Sequence, residues 1–252
     1  MSSSQQWTTY KQHFDRTGNV LPSKTITSPD IVEGYIKPWM AEVSRDAPIL
    51  DMGCGYGHQL YALKELGFTR LFGIELVEES LQMAKSELTG FAQLELADAF
   101  DYLPRHRGEY QVITVNDVLE HIPHDRVVEL LRLLWDALKP GGILSVRVPN
   151  MASLGSSYAM YMDFTHVTGF TEFSMMQVLD LAGFVNHRMV SRLPKPYFSI
   201  TQPVKTLRRL AARGVWMMNY LLHYCVFWLR WQRPLPSQID FNLEMYTHKP
   251  AL

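Results

Sequence analysis

Nine residues near the start of the chain have the composition of a ligand-binding turn. Residues 49–57 read ILDMGCGYG, in which Gly53, Gly55 and Gly57 follow two apolar residues and an acid. Glycine has no Cβ atom, so a turn built from it accepts positive φ angles and lets a ligand approach the main chain. Glu75 follows about 20 residues later, where a carboxylate can accept hydrogen bonds from ribose hydroxyls. The two features together predict a nucleoside or dinucleotide site, whereas the glycines alone also fit a tight turn.

Two other segments combine histidine with carboxylates, which are side chains that transfer protons in enzymes. The first, DVLEHIPHD, contains Asp117, Glu120 and His121, and the second, YMDFTHVTGFT, contains Asp163 and His166. A base from either segment could remove a proton from a hydroxyl group. The alternatives are a structural histidine bonded to a neighbouring backbone group for His121, and a loop anchor for His166.

The same residue types could instead bind a metal ion. Asp117, Glu120, His121 and His166 would form a mixed carboxylate and imidazole set, which suits manganese or iron better than magnesium. The sequence does not show whether the distant histidine reaches the other three. We therefore expect no metal ion and keep this set as the alternative.

The elements that must position these residues alternate along the chain between short apolar runs and segments of helical period. Candidate helices contain YALKEL, ESLQMAKSEL, RVVELLRLLWDALK and FSMMQVLDLAGF, the last ending at Gly183. Candidate strands cover residues 48–52, 70–74, 91–96, 110–116, 142–148, 185–193 and 241–249. This alternation predicts a parallel sheet with helices on both faces. Ligands of such open sheets bind at the carboxyl ends of the strands, where the glycine turn, Glu75 and both histidine segments would meet.

The order of these landmarks resembles the class I S-adenosylmethionine-dependent methyltransferases. The matching segments are ILDMGCGYG, GIELVEESLQMAK, LADAF, VNDVLEHI and LKPGG, and the resemblance covers residues from about 45 to 190. It implies an α/β fold with a seven-stranded, mostly parallel sheet, helices on both faces and an antiparallel last strand. Here the fold would carry a helical insertion between the last two strands.

The resemblance also implies a set of residues that bind S-adenosylmethionine and its product S-adenosylhomocysteine. Asp51 and the glycine turn would hold the methionine part, Glu75 the ribose, and Asp98 the adenine amino group. Asp98 could instead cap a helix, and Asp51 could be a strand-end acid bonded to loop amides. The full predicted set is Asp51, Gly53, Cys54, Gly55, Gly57, Glu75, Leu76, Asp98, Ala99, Asn116, Asp117 and Val118.

A methyl group on a sulfonium is already activated, so the enzyme must align the acceptor and remove its proton. Relatives that carry the same Glu-His pair place the histidine beside the acceptor, which makes His121 the first candidate for the catalytic base. His166, oriented by Asp163, is the second candidate, and Glu120 completes the predicted catalytic group.

Composition limits the domain organisation and the cellular setting. The chain has 252 residues, of which 47% are hydrophobic and 19% charged, and two cysteines give no disulfide framework. We expect a single domain over residues 1–252, with an N-terminal helical cap over 1–45 and a basic aromatic insertion over 194–240. The polar N-terminus lacks a secretory signal, so we expect a cytoplasmic protein, with peripheral attachment to the inner face of the cytoplasmic membrane as an option.

The insertion concentrates positive charge beside a long apolar run. Residues 181–239 contain nine Lys and Arg residues and no acid. Aromatic residues interleaved with arginines over 205–233 suit a helix in a membrane interface, and the alternative is a lid or homodimer helix. We expect an enzyme that O-methylates a sugar, a glycan or a lipid-linked small molecule near the membrane. The alternatives are an RNA methyltransferase and a non-catalytic partner of a membrane-associated complex.

Overall fold

A seven-stranded sheet forms the centre of the protein, whose computed structural model describes residues 31–190, 203–229 and 235–251. The strands have the spatial order β3-β2-β1-β4-β5-β7-β6, and β7 runs antiparallel to both of its neighbours. Their bounds are β1 Pro48–Met52, β2 Arg70–Glu75, β3 Ala92–Leu96, β4 Tyr110–Asn116, β5 Leu138–Pro149, β6 Val185–Met189 and β7 Asn242–His248. The predicted fold class is thereby confirmed.

Helices connect the strands and cover both faces of the sheet. A π-helical turn over Ile31–Ile36 leads into α1, and short 3-10 turns cover Leu103–Arg105, Leu119–His121 and His124–Arg126. The helices are α1 Lys37–Met40, α2 His58–Glu65, α3 Glu78–Leu88, α4 Ala99–Tyr102, α5 Val127–Ala137, α6 Ser156–Tyr161, α7 Glu172–Ala182 and α8 Pro203–Leu229. The predicted N-terminal cap falls mostly on residues outside the described ranges.

The central strands are apolar on both faces because helices bury both. All five residues of β1 are buried. Successive side chains of a strand point to opposite faces, so Ile49 packs with Leu60 and Leu63 of α2, whereas Leu50 packs in the cluster that contains α5 and α7. The two clusters form the two halves of the hydrophobic core.

The largest difference from the predicted elements is the start of β5. The strand begins at Leu138 rather than at Gly142, and its register with β4 shifts between Tyr110 and Val112. The segment LKPGG therefore forms an irregular first part of the strand. The edge strand β6 ends at Met189. Residues 191–193 of the predicted strand lie outside the described ranges.

A buried carboxylate attaches the segment after α8 to the body of the protein. Glu172 begins α7, next to a capping box formed by Thr171 and Ser174. Its oxygens accept hydrogen bonds from the Ser237 amide, the Ser237 hydroxyl and the Gln238 amide, at 2.6–3.1 Å. These bonds direct the chain into β7 after the helical insertion.

Replacing Glu172 with alanine should destabilise the protein, because three donors would lose their shared acceptor. We expect the free energy of unfolding to fall by about 3 kcal/mol, measured by urea denaturation. The matched control is Glu87→Ala, at an exposed position of α3. Equal stability of the two variants would contradict this role for Glu172.

Candidate active site

A cavity of about 710 Å³ opens at the carboxyl ends of the central strands. Its walls contain eleven of the twelve predicted cofactor-binding residues, together with His121. The exception is Gly57, which has a φ of +80° and precedes α2. A Cβ atom at Gly57 would lie 2.7 Å from Leu88 Cδ1 and 3.2 Å from Ala84 Cβ, so this glycine permits close packing of α2 against α3.

The glycine turn is held against β2 by its own backbone. The amides of Gly53 and Cys54 both donate to the Ile74 carbonyl, at 2.9 and 3.0 Å. Gly53 has a φ of +72°, and a Cβ atom on it would lie 2.5 Å from Val118 Cγ2. The turn can therefore pass beneath the loop after β4 only with glycine at this position. Cys54 directs its side chain into the core, and burial raises the pKa of its thiol.

Glu75 joins the ends of β1 and β2. Its Oε2 accepts from the Gly55 amide, and its Oε1 accepts from the amides of Leu76 and Val77, each at 2.8 Å. A carboxylate has about four lone-pair sites, so Oε2 keeps acceptor capacity for a ligand hydroxyl. The half-exposed Leu76 adds an apolar surface beside it.

Asp51 is a carboxylate at the floor of the cavity and is only 3% exposed. Its register partner on β4 is Thr114, whose hydroxyl donates to Asp51 Oδ1 at 2.8 Å. Burial raises the pKa of Asp51 to about 7; the Thr114 hydrogen bond opposes the shift, and the charge of Glu75 adds to it. A positively charged ligand group in the cavity would favour the ionised form.

Asp98 and Ala99 close the side of the cavity next to β3. Asp98 is the N-cap of α4, and its Oδ1 accepts from the Phe100 amide at 2.8 Å. The alternative interpretation of Asp98 as a helix cap is thus confirmed for one oxygen. Because Asp98 also lines the cavity, the cap orients the carboxylate towards it.

The loop after β4 forms the opposite wall. Asn116 donates through Nδ2 to Gln59 Oε1 at 2.7 Å, and Asp117 has a φ of +53°. The Asp117 carboxylate forms an ion pair with Arg147 on β5, which also donates to the Tyr35 hydroxyl and lies over the Tyr35 ring. This partner removes Asp117 from the alternative metal-binding set.

Arg147 and Tyr35 also line the cavity, and neither belongs to the set predicted from the sequence. Arg147 carried a signal that could have identified it, because it is the one charged residue in the apolar run GILSVRV. A charge inside a central strand requires a partner, and the loop after the neighbouring strand supplies Asp117.

A second group of residues adjoins the cavity through His121. One ligand atom each from Glu120, His121 and His166 lies within 4.8 Å of the other two. The two imidazole rings meet edge to face, with centroids 4.7 Å apart. The loops that carry them are joined by the Glu120 carbonyl, which accepts from the amides of Val167 and Thr168. The predicted meeting of the two histidine segments is therefore present in the structure.

Hydrogen bonds indicate which tautomer each of the two imidazole rings adopts. The Thr165 hydroxyl donates to Asp163 Oδ1 at 2.6 Å, so its contact of 2.9 Å with His121 must be one in which Nδ1–H donates to Thr165. His166 Nδ1 lies 3.0 Å from the Ala159 carbonyl, which can only accept. In both neutral rings the lone pair is therefore on Nε2.

These contacts change one expected role and supply another. Asp163 was expected to orient His166, but the residue it supports is His121, through the hydroxyl of Thr165. His166 is bonded to the Ala159 carbonyl, which agrees with the alternative of a loop anchor. The position of Thr165 in the segment MDFTH gave no signal, because its role depends on the fold of the loop.

Glu120 is the most deeply buried member of the group. It is 2% exposed, and neither carboxylate oxygen has a hydrogen-bond partner within the described part of the chain. Burial raises the pKa of Glu120 to about 8; its own backbone amide opposes the shift, and the charge of Asp163 adds to it.

Asp51→Asn should change how stability depends on pH. In wild type the folded state binds the Asp51 proton more tightly than the unfolded state, so stability is lost as pH rises from about 4 to about 7. The Asp51→Asn variant lacks this loss, which is on the order of 4 kcal/mol. Urea denaturation without ligand should therefore show that the free energy of unfolding of the variant, relative to that of wild type, increases between pH 5 and pH 8. The control is the exposed Asp101→Asn, and a stability difference between wild type and the Asp51→Asn variant that stays constant with pH would contradict the prediction.

The sequence matches a family model described as a methyltransferase domain over residues 32–188. Among curated proteins, the chain is 37% identical over 99 residues to a ubiquinone biosynthesis O-methyltransferase of Thiobacillus denitrificans, covering 37% of this chain and 40% of that protein. A protein of the same name from Escherichia coli is 31% identical over 124 residues, covering 45% and 50%. The chain thus matches half or less of the length of these relatives.

Solved structures share the fold at low sequence identity. A methyltransferase from Archaeoglobus fulgidus has a TM-score of 0.61 and 21% identity, covering 85% of this chain and 91% of that one. A methyltransferase from Burkholderia thailandensis, solved with S-adenosylhomocysteine, has a TM-score of 0.59 and 14% identity, covering 97% and 87%.

The cavity fits the ligand that this fold implies, because the turn excludes a Cβ at Gly53 and acidic residues line the space above it. The family match extends over more than half of the chain and includes every strand that lines the cavity. The chain therefore belongs to the methyltransferase-domain family.

Proposed function

We propose that this enzyme transfers the methyl group to a ring hydroxyl of a lipid-linked acceptor, and that it does so at a membrane surface. The proposal rests on exposed apolar side chains close to Glu120, His121 and His166, which together are called the histidine group below. Tyr161 ends α6, and Phe164 follows in the loop that holds Asp163 and His166; their exposed fractions are 84% and 91%. Large apolar side chains around a site entrance suit an acceptor with an apolar tail.

The named relatives support an oxygen acceptor of this class. Both are named ubiquinone biosynthesis O-methyltransferases, and the name specifies methyl transfer to an oxygen atom. The match covers half or less of each of those proteins. Their activity is therefore proposed for this chain and is not established by the match. The features of this protein that agree with it are the apolar surface and the histidines.

The residues of the cavity would bind the cofactor by its charged and polar groups. S-adenosylmethionine, when bound, supplies a methyl group activated by its sulfonium. Glu75 would accept from the ribose hydroxyls through Oε2, and Asp98 would meet the adenine amino group beside Leu76. The ionised Asp51 lies below the glycine turn, where it favours the positive charge of the methionine part.

The histidine group would activate the acceptor hydroxyl. His121 lines the cavity, and the hydrogen bond from its Nδ1–H to Thr165 directs the lone pair to Nε2. The Asp163 carboxylate behind Thr165 stabilises positive charge on the ring. Activation of the hydroxyl next to the methyl donor is the step that an O-methyltransferase requires of its own residues.

Helix α8 supplies the proposed membrane contact, because its polarity is the reverse of that of an ordinary surface helix. The side turned to the protein contains His223, whose Nε2 accepts from the Leu154 amide, and Trp216, which donates to Asp240. The side turned away is rich in exposed apolar residues. They are Val204, Leu207, Leu210, Val215, Met217, Met218, Leu221 and Leu222. Such a surface requires an apolar partner.

The charge of the helix favours an anionic lipid surface as that partner. Arg208, Arg209 and Arg213 lie in its first half, and no acid occurs between residues 181 and 239. Exposed Tyr220, Tyr224 and Trp228 in its second half suit the boundary between lipid and water. The helix would therefore lie in the interface, close to the loop at the site entrance. No described helix combines the length and the apolar character needed to cross a bilayer.

The acceptor class can be tested with a matched pair of substrates. The enzyme is incubated with methyl-labelled cofactor and a catechol with or without an isoprenoid tail, in detergent micelles. We expect a methyl ether as product, and a KM at least tenfold lower for the tailed catechol. Equal KM values, or label found in RNA instead, would contradict the proposed acceptor.

Cofactor binding is measured separately by calorimetry with S-adenosylhomocysteine. Glu75→Gln loses charged hydrogen bonds, each worth about 1.5–3 kcal/mol, so we expect binding at least tenfold weaker. The control Glu78→Gln changes a nearby exposed residue and should bind as wild type does.

The membrane contact predicts a specific effect on liposome flotation. Replacing Leu207, Leu210 and Leu221 together by glutamine should release the protein from vesicles that contain phosphatidylglycerol. The control Leu181→Gln changes an exposed leucine of α7, and it should float as wild type does. Unchanged binding of S-adenosylhomocysteine shows that the triple variant is folded. Flotation of the triple variant at the wild-type level would overturn the membrane contact.

A further inference from the structure

We propose that Glu120, His121 and His166 form a binding site for a divalent transition-metal cation, such as Mn²⁺ or Fe²⁺, beside the cofactor cavity. The inference replaces the expectation from the sequence that the enzyme uses no metal ion. It also reduces the alternative set to three residues, because Asp117 pairs with Arg147.

The distances between the candidate ligand atoms are close to those of an occupied site. One nitrogen of each histidine and one carboxylate oxygen lie within 4.8 Å of one another. Ligands bound at about 2.1 Å to one cation are roughly 3–3.5 Å apart. Small rotations of the three side chains therefore bring them to bonding distance.

Glu120 provides an independent observation that points to a cation. Its side chain is almost fully buried, and both oxygens lack a hydrogen-bond partner within the described ranges. Buried polar groups in folded proteins are nearly always bonded, because burial without a partner costs several kcal/mol. A cation between Glu120 and the two rings would supply the missing partner.

The contacts behind the histidines are those of metal ligands. His121 donates from Nδ1 to Thr165, which in turn donates to Asp163, and His166 donates from Nδ1 to the Ala159 carbonyl. Ligating histidines usually donate their second ring nitrogen to a carboxylate or a carbonyl, which directs the lone pair of the other nitrogen to the metal. Both rings are thus prepared to bind through Nε2.

The ligand types select the class of cation. Two imidazoles and one carboxylate bind manganese, iron, cobalt or zinc, whereas magnesium prefers oxygen ligands. Three protein ligands leave further coordination positions for solvent or substrate. Because His121 lines the cavity, those positions adjoin the place where the acceptor would bind.

The consequence for catalysis rests on the proposed function. A cation held by Glu120, His121 and His166 would supply positive charge that lowers the pKa of an adjacent acceptor hydroxyl, whose proton would pass to water. The oxygen then forms a bond to the methyl carbon while the carbon–sulfur bond breaks, and that electron pair stays on sulfur. With the cation bound, the Nε2 lone pair of His121 would be used for the metal, so His121 would hold the cation and water would take the proton in its place.

Cation binding can be measured without any acceptor. Protein freed of metal with a chelator is titrated with Mn²⁺ and followed by calorimetry and electron paramagnetic resonance. We expect one site per chain in wild type and at least tenfold weaker binding in Glu120→Gln and His166→Ala. The matched control is His124→Ala, which changes an exposed histidine of the same loop and should bind as wild type does.

Binding of S-adenosylhomocysteine reports whether the variants are folded. If Glu120→Gln binds S-adenosylhomocysteine as wild type does but no longer binds Mn²⁺, Glu120 is a ligand of the cation. Absence of Mn²⁺ binding in wild type, or equal binding in all variants, would overturn the inference. Mn²⁺ binding without methylation of the tailed catechol would refute only the acceptor, and full methylation by metal-free protein would refute only the role of the cation in catalysis.

Discussion

The structure of the site depends on one constraint, which is that the backbone of the glycine turn must stay fixed against the end of the second strand. Two amides of the turn donate to the Ile74 carbonyl, and a third donates to the Glu75 carboxylate. Because Glu75 also accepts from the amides that follow it, one side chain fixes both strand ends and still faces the cavity. The opposite wall of the site also depends on this turn, because Val118 packs directly over Gly53.

Two buried carboxylates lie at the two ends of the site. Asp51 lies below the turn with one hydroxyl partner, and Glu120 lies behind the histidines with none within the described residues. Burial raises the pKa of each into the range of neutral pH. A bound positive charge would favour the ionised form of each carboxylate. A cationic cofactor at one end and a metal cation at the other would provide that charge.

The outer surface of α8 is the part of the protein that we propose contacts a membrane. The helix is attached to the body by polar contacts of His223 and Trp216, while its apolar residues face outwards. His223 accepts a hydrogen bond from the amide of Leu154, which lies just before α6, and α6 leads into the loop that holds His166. A membrane bound to α8 would therefore lie next to the entrance for an acceptor with an apolar tail.

The sequence alone determined the order of the strands and helices, because hydrophobic period and glycine position are local properties. It also determined the polar residues at the strand ends, because a parallel sheet brings those ends to one edge. Which of these residues meet depends on the tertiary structure. The ion pair of Asp117 with Arg147 and the link from Asp163 through Thr165 to His121 depend on how loops fold over the sheet. Such contacts join residues far apart in the chain, and their direction depends on backbone geometry that no local pattern encodes.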